Sequence, residues 1–139
     1  MKYSYDSLVK YIKQFENANF GEWIIDREND GLPEHPKQMP FVNYSAIVDS
    51  FINDVYRFID DNSDLGLNHY YDILAKNHLE WGSESMKSAD ISSMDAQCVM
   101  ALIVGAIRAE RFCDGALLDF FKNGYILKWL KRLNQIQES

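Results

Sequence analysis

Apolar residues recur at helical spacing along most of the chain, beginning close to its start. The first predicted helix carries its apolar residues on one face: Leu8, Tyr11, Ile12 and Phe15. Ser4 or Asp6 is a suitable N-cap for this helix, since a short polar side chain can accept a bond from a free backbone amide. The polar Asn17–Gly21 region is expected to end it.

Two further helices are predicted before residue 80. One follows Ser45, a favourable N-cap, and ends at Asp60 and Asp61, which carry the unfavourable charge for a helix C-terminus. Its apolar stripe consists of Val48, Phe51, Ile52, Val55 and Ile59. The next helix is predicted from about Asn68 to Leu79. Its apolar stripe consists of Tyr71, Leu74 and His78.

The most apolar part of the chain, residues 98–107, has no polar face at helical spacing. A helix of this kind must be surrounded by other helices, so we predict a central helix over about residues 94–112. Ser92 and Asp95 have the spacing of a capping box at its start, and Gly105 predicts a close helix contact. Three side chains in the centre of this helix should be almost inaccessible to solvent: Leu102, Ile103 and Ile107.

The last part of the chain predicts a short helix and then a longer one. After a break at Asp114–Gly115, a short helix is predicted over Ala116–Lys122, with Asn123–Gly124 as its stop. The final helix is predicted to place three apolar residues inward: Ile126, Leu130 and Leu133.

The helical spacing of apolar residues is lost between residues 21 and 44, where EWIID and PFVNY flank a polar stretch. These two short aromatic and β-branched segments predict a two-stranded β-ribbon or an irregular insertion lying on the helices. The predicted fold is therefore mainly α, a single domain over residues 1–139. About five or six helices surround the central one, and the insertion lies near 21–44.

Composition narrows the function without identifying it. The chain has 139 residues, 47% of them hydrophobic, which is typical of a globular domain with a substantial core. The net charge of −7 disfavours nucleic-acid binding and suits a basic protein partner. The longest apolar run, residues 98–107, is too short to cross a bilayer, so no membrane span is predicted. Cys98 and Cys113 lie in apolar surroundings and fit a reducing cytoplasm.

Two stretches, FVNYSAIVDSFINDVYRF and RAERFCDGALLDFFKNGYILKWLKRL, resemble a bacterial family, domain-of-unknown-function family 6508. The resemblance runs from about Trp23 to Leu133. Its most specific positions are Arg108, Glu110, Arg111, Phe112, Gly115, Leu130 and Leu133. The resemblance implies a bacterial or phage cytoplasmic origin and transfers no activity or catalytic residues.

The candidate site is the polar cluster that ends the central helix, from Arg108 to Asp114. Helical geometry places Glu110 on the same stripe as buried apolar residues, so its carboxylate needs a partner. The predicted donors are an arginine or backbone amides, with Arg108 or Arg111 favoured, and Arg111 can also pair with Asp114. One interpretation is an ion-pair network that only stabilises the end of the helix.

The alternative interpretation is a binding pocket for an anion. Arg108 and Arg111 would clamp a carboxylate or phosphate, Glu110 would orient them, and Trp23 and Trp81 would form pocket walls. The leading functional hypothesis is a non-enzymatic protein-binding or regulatory module. The rival hypothesis is a small-molecule binder or enzyme that uses this pocket.

Other patterns carry less weight. Cys113 lies beside an arginine, but no histidine is near it in sequence to activate a thiol nucleophile. DRENDG, residues 26–31, imitates the start of a calcium loop, but Lys37 occupies the twelfth position, where such a loop needs a bidentate glutamate. The three histidines lack metal-ligand spacing, so we predict no metal and no cofactor. Oligomeric state is left open.

Overall fold

In the computed structural model, which describes residues 3–139, helix α6 (Ala96–Ala109) runs through the centre of the protein. Every side chain from Cys98 to Ile107 is buried, as their continuous apolar character predicts. Leu102 and Ile103 have no exposed surface and Ile107 is 5% exposed, which confirms the prediction for these three residues.

The other regular elements of the described chain are helices and one small sheet. The other α-helices are α1 Asp6–Val9, α2 Ile12–Phe15, α3 Ala46–Asp61, α4 Tyr70–Lys76, α5 Ser83–Ser88, α7 Ala116–Lys122 and α8 Tyr125–Glu138. Short 3-10 turns occupy Ser63–Leu65, Leu67–His69 and Ile91–Ser93. The strands are β1 Gly21–Ile24 and β2 Phe41–Tyr44. The predicted mainly α architecture is therefore confirmed.

Helix α6 is enclosed by α4, α7 and α8, while α1 packs between α3 and α8. Phenylalanine rings join these layers. Phe15 of α2 packs edge-on against Phe51 of α3 and Phe121 of α7, with ring centroids 5.2 and 5.3 Å apart. Such edge-to-face pairs add to the stabilisation from burial itself, so this cluster fixes how the first helices meet the last ones.

The predicted ribbon is present. Strands β1 and β2 pair antiparallel, with Trp23 opposite Val42 and Gly21 opposite Tyr44. Residues opposite each other in an antiparallel pair point to the same face, so these four share one face of the sheet. We call the two strands together the ribbon.

The starts and N-caps of the first helices agree less well with the predictions. The predicted first helix consists of two short ones, α1 and α2, separated at Lys10–Tyr11. Ser4 offers only a long 3.4 Å bond to the amide of Asp6, and neither short helix has a side-chain cap. Ser45 does occupy the N-cap position of α3, but its hydroxyl is buried without a hydrogen-bond partner within the described residues.

The predicted stripe of the third helix is wrong at two of its three positions. Tyr70, Ile73 and Leu74 are the buried residues of α4, while Tyr71 is 50% exposed. His78 lies beyond the end of α4 with a left-handed φ of 63°, so it does not extend the helical face. The buried face begins one residue earlier than the sequence pattern indicated.

The capping box predicted at the start of α6 is also wrong. Asp95 is itself the N-cap and accepts a 2.9 Å bond from the amide of Cys98, whereas Ser92 bonds to Asp90. The two residues therefore do not form a capping box. The helix ends at Ala109, and Glu110 and the following residues form turns rather than another helical turn.

The predictions for the last part of the chain are confirmed. Helix α7 spans the predicted residues, and Gly124 follows it in a left-handed conformation with a φ of 81°. Three residues of α8 have no exposed surface: Ile126, Leu130 and Leu133. Helix α5 was not predicted, because residues 83–88 are polar apart from Met86.

The acidic loop after β1 is organised around a single side chain, Asp26. Its carboxylate accepts hydrogen bonds from the backbone amides of Glu28, Asn29 and Gln38 and from the Asn29 amide group. The bond from Gln38, followed by those from Asn29, lowers the pKa of Asp26 below its usual range. Both oxygens of Asp26 are thus used to fold the loop.

We expect calcium to leave the melting temperature of the protein unchanged. Asp26 is already bonded to four donors, and the loop has Lys37 where a calcium loop needs an acid. The measurement is thermal unfolding with added CaCl₂, with MgCl₂ at equal ionic strength as the control. A calcium-specific rise in melting temperature that saturates would contradict this expectation, because a native-state ligand stabilises by mass action.

Candidate functional site

The carboxylate of Glu110 lies at the corner between α6 and α7 and is partly buried there. Its oxygens accept hydrogen bonds from the backbone amide of Gly115 at 3.1 Å and from that of Leu117 at 3.0 Å. The hydroxyl of Tyr44 donates a third, at 2.7 Å. Free amides at a helix N-terminus favour a negative charge, so Glu110, the residue that follows α6, acts as a cap for α7.

Tyr44 connects the ribbon to the same corner. Its hydroxyl donates to Glu110 and accepts a 3.0 Å bond from the amide of Leu118. Burial, together with the hydrogen bond to Glu110, raises the pKa of Tyr44 well above its usual range, so the phenol keeps its proton. Tyr44, Glu110, Gly115, Leu117 and Leu118 form one connected set of hydrogen bonds, which we call the Glu110 network.

Trp23 contacts the network from the ribbon side. Gly115 has a φ of 88°, and a Cβ built on it would lie 2.3 Å from Cζ2 of Trp23. A glycine is therefore needed for two reasons, the left-handed backbone and the close approach of the indole. Trp23 remains 42% exposed, so it covers the corner rather than lining an enclosed pocket.

The predicted arginine partners of Glu110 are wrong. Among residues 3–139, the donors to Glu110 are backbone amides and Tyr44. Arg108 points elsewhere: it bonds to Asn68 at 3.3 Å and its guanidinium lies 5.3 Å from the centroid of the Tyr56 ring. Arg111 is exposed. The helix ends before Arg111, so the regular spacing that brought these side chains together in the prediction does not apply.

An open cleft lies between α5 and the α6–α7 corner, with a volume of about 430 Å³. We call it the aromatic cleft. Its lining includes Trp81, Met86, Phe112, Cys113, Asp114 and Phe120. The indole nitrogen of Trp81 donates a 3.0 Å bond to the carbonyl of Gly105, which fixes this wall against the central helix.

Gly105 explains why the wall can approach so closely. A Cβ at this position would lie 3.1 Å from Cε of Met86 and 3.3 Å from Cδ1 of Trp81. The predicted close contact is therefore present, and it involves side chains from the segment containing α5. The other wall includes Phe112, which is 76% exposed and contacts Trp81 edge-on with ring centroids 5.5 Å apart.

Two carboxylates lie at the cleft, Asp114 and Asp119. Asp119 is paired with the ammonium group of Lys87. Asp114 is exposed and has no cationic side chain within 4.0 Å among the described residues. Cys113 is an exposed free thiol at the same surface. The cleft is thus apolar in its walls and acidic at its edge.

The predicted site residues do not form one site: some lie at the aromatic cleft, some at the Glu110 network, and some at neither. Trp81 and Asp114 line the aromatic cleft, and Gly115 links it to the Glu110 network. Glu110 belongs to the network and Trp23 packs against it at Gly115, while Arg108 and Arg111 lie outside both.

Tyr44 and Phe112 were missed as site residues. Nothing in the sequence connects Tyr44 with a glutamate 66 residues away. Phe112 lies inside the predicted cluster, but a phenylalanine that follows an apolar helix is ordinarily part of the core. Its exposure depends on the end of α6 at Ala109, for which the sequence gives no strong signal.

Within the part of the chain that the structure describes, His, Cys, Asp and Glu side chains do not gather in groups that could hold a metal ion. Across those same residues, no helix is sufficiently long and apolar to cross a membrane.

The described chain is mainly α-helical, with a β-ribbon packed on one corner of the helices and an apolar surface cleft beside it. A comparison with protein families matches residues 1–139 to a family described as "Family of unknown function (DUF6508)". The chain belongs to this family. Comparisons with curated proteins and with solved structures gave no match.

Proposed function

We propose that this protein is a protein-binding module and that the aromatic cleft is its binding surface. The observation that carries the proposal is the exposure of Phe112 and Trp81 around an apolar depression. Large apolar side chains that remain in water at the rim of a groove are typical of interaction sites. Aromatic residues are also enriched among those that contribute most to binding energy.

The chemistry of the partner follows from the edge of the cleft. Asp114 contributes an exposed negative charge beside apolar walls, and the whole chain carries a net charge of −7. Complementary charge accelerates association and selects the partner more than it adds affinity. The partner segment therefore carries a bulky apolar side chain for the cleft and a lysine or arginine for Asp114.

The polar cluster supports binding rather than catalysis. Glu110, the most obvious candidate for an acid or base, is occupied by Tyr44 and the amides of α7. Cys113 lines the cleft, but none of the three histidines is in the lining, where it could activate the thiol as a nucleophile. For these reasons, we favour a non-enzymatic module over the rival small-molecule binder or enzyme.

The proposal extends to the cellular setting. The family resemblance suggests a bacterial or phage protein, and both cysteines are free thiols, which suits a reducing cytoplasm.

The proposal is tested by selection of binding peptides from a random library displayed on phage. The expected result is a set of peptides that combine a bulky apolar residue with lysine or arginine. Their binding should fall about tenfold or more in Phe112→Ser, because a central aromatic anchor commonly contributes about 2 kcal/mol or more.

Met39→Ser is the matched control, since Met39 is 80% exposed, in a position outside the cleft. It should bind the selected peptides as the wild type does. Failure to enrich such peptides, or equal loss of binding in both variants, would refute the proposal.

A further inference from the structure

A second groove runs along α8, lined by α8 itself and by the turn that precedes α6. Its volume is about 530 Å³. Its lining residues are Asp90, Ile91, Ser92, Gly124, Leu127, Lys128, Lys131, Arg132 and Gln135. We call it the basic groove, because three of its nine lining residues are cationic and one is acidic, in a chain with 21 acidic and 14 basic residues.

The cations of the groove are only weakly neutralised within the protein. Lys131 lies 3.9 Å from Glu16 across the surface, and both side chains are about half exposed, which makes this a weak pair. Arg132 donates to a carbonyl, that of Met94 at 3.0 Å, rather than to a carboxylate. Lys128 has no carboxylate within 4.0 Å among the described residues.

Asp90 is the one acid that lines the groove in the described chain. Its carboxylate accepts bonds from the hydroxyl and the amide of Ser92, at 2.6 and 3.0 Å. These bonds, with a smaller electrostatic contribution from Lys128, hold the pKa of Asp90 below its usual range. One carboxylate that is already bonded faces three cations, so the groove keeps an excess of positive charge.

The shape of the groove indicates an elongated ligand rather than a single ion. Its lining along α8 extends from Gly124, the residue before the helix, to Gln135. At about 1.5 Å per residue, that distance is about 16 Å, or roughly three helical turns. Leu127, which is partly buried, provides apolar surface between the charged groups, whereas Ile91 is only 8% exposed. A matching ligand has several negative charges and apolar groups between them.

We propose that the basic groove is a docking site for an acidic segment of a partner protein, with an apolar side chain that packs on Leu127. The charge pattern favours carboxylates over a nucleic-acid backbone, because the rest of the surface is strongly acidic and would repel a long polyanion. A short acidic peptide meets the three cations and avoids that repulsion. This surface is distinct from the aromatic cleft and prefers the opposite charge.

The probe is a fluorescein-labelled helical peptide of about 14 residues, long enough to span the groove, with glutamates and leucines on one face. Its counterpart has glutamine in place of every glutamate. At low salt, the wild type is expected to bind the acidic peptide about tenfold more tightly than the neutral one, and this preference should shrink as salt is added. Amide chemical-shift changes should centre on Leu127 and Ile91.

The variant Lys128→Glu/Lys131→Glu is expected to lose about tenfold or more in affinity for the acidic peptide, since attraction becomes repulsion. The matched control is Lys13→Glu/Lys76→Glu, which makes the same change in net charge at two exposed lysines outside the groove. Its affinity should stay within about twofold of the wild type, with the residual difference due to long-range charge. Arg132 is left in place because it also bonds to Met94.

Lys128→Gln/Lys131→Gln provides a second variant with a smaller charge change, should the double reversal unfold the protein. Any of three results would overturn the proposal: equal affinity for both peptides, equal loss in the groove and control variants, or no binding of the acidic peptide. Preferential binding of a duplex DNA of similar charge would overturn it too, and would identify a nucleic-acid site instead.

Discussion

Leu102→Ala is expected to lower the free energy of unfolding by about 2–5 kcal/mol. Leu102 has no exposed surface and lies near the middle of α6, with packed helices around it. Removal of its branched side chain loses burial and leaves a cavity that the surrounding helices can only partly close. Equilibrium unfolding in urea, followed by circular dichroism, gives the value.

Leu32→Ala is the control for this measurement. Leu32 is 55% exposed in the acidic loop, so its truncation should change stability by no more than about 0.5 kcal/mol. Similar stabilities for Leu102→Ala and Leu32→Ala would contradict the central position of α6.

Glu110→Ala is expected to destabilise the protein by about 2–3 kcal/mol. The substitution leaves the amides of Gly115 and Leu117 without their acceptor and also removes the partner of the Tyr44 hydroxyl. Because Glu110 is not paired with an arginine, no buried cation is left behind, and the loss should be smaller than for a broken buried ion pair. Thermal and urea unfolding measure it.

Two further variants separate the contributions in the Glu110 network. Tyr44→Phe removes only the hydroxyl and should cost about 1 kcal/mol, while Arg111→Ala should be nearly neutral because Arg111 is exposed. Binding of peptides to the aromatic cleft should fall in Glu110→Ala only in proportion to unfolding. A stable Glu110→Ala protein, or an Arg111→Ala protein that is equally destabilised, would show that the network is misassigned.

The sequence predicted the structure best where the local pattern of residues is compatible with only one arrangement. Residues 98–107 have no polar side, so a helix of that segment could only be central, and it is. The ends of the short helix α7 were also predictable, since Gly115 and Gly124 both adopt the left-handed conformation that glycine tolerates best. Local chemistry decides these features without help from distant residues.

The partners of Glu110 could not be predicted from the local sequence. The helical stripe predicted correctly that the carboxylate is drawn away from solvent, and backbone amides were among the predicted donors. The preference for arginine rested on continuing α6 through Arg111, but the helix ends at Ala109. Tyr44 reaches Glu110 only because the ribbon folds back onto the corner, and that is a tertiary contact without a local signal.

The error in α4 has a similar origin. Tyr70 and Tyr71 are the same residue type, so periodicity alone could not decide which of them begins the buried face. The packing of α4 on α6 decides it in favour of Tyr70, whose ring also lies 5.5 Å from that of Trp81. The aromatic cleft was unpredictable because α5, which carries Met86 to one wall, has no apolar stripe.

The hydrogen bonds from Leu117 and Leu118 to Glu110 and Tyr44 bear on how the native protein fluctuates. Amides in the first turn of a helix have no partner within the helix and ordinarily exchange their protons with solvent quickly. Here the protons of Leu117 and Leu118 are held by side chains from the α6–α7 corner and from the ribbon. The rate of deuterium uptake at Leu118 therefore measures how often the ribbon separates from the helices. This local opening does not require the whole protein to unfold.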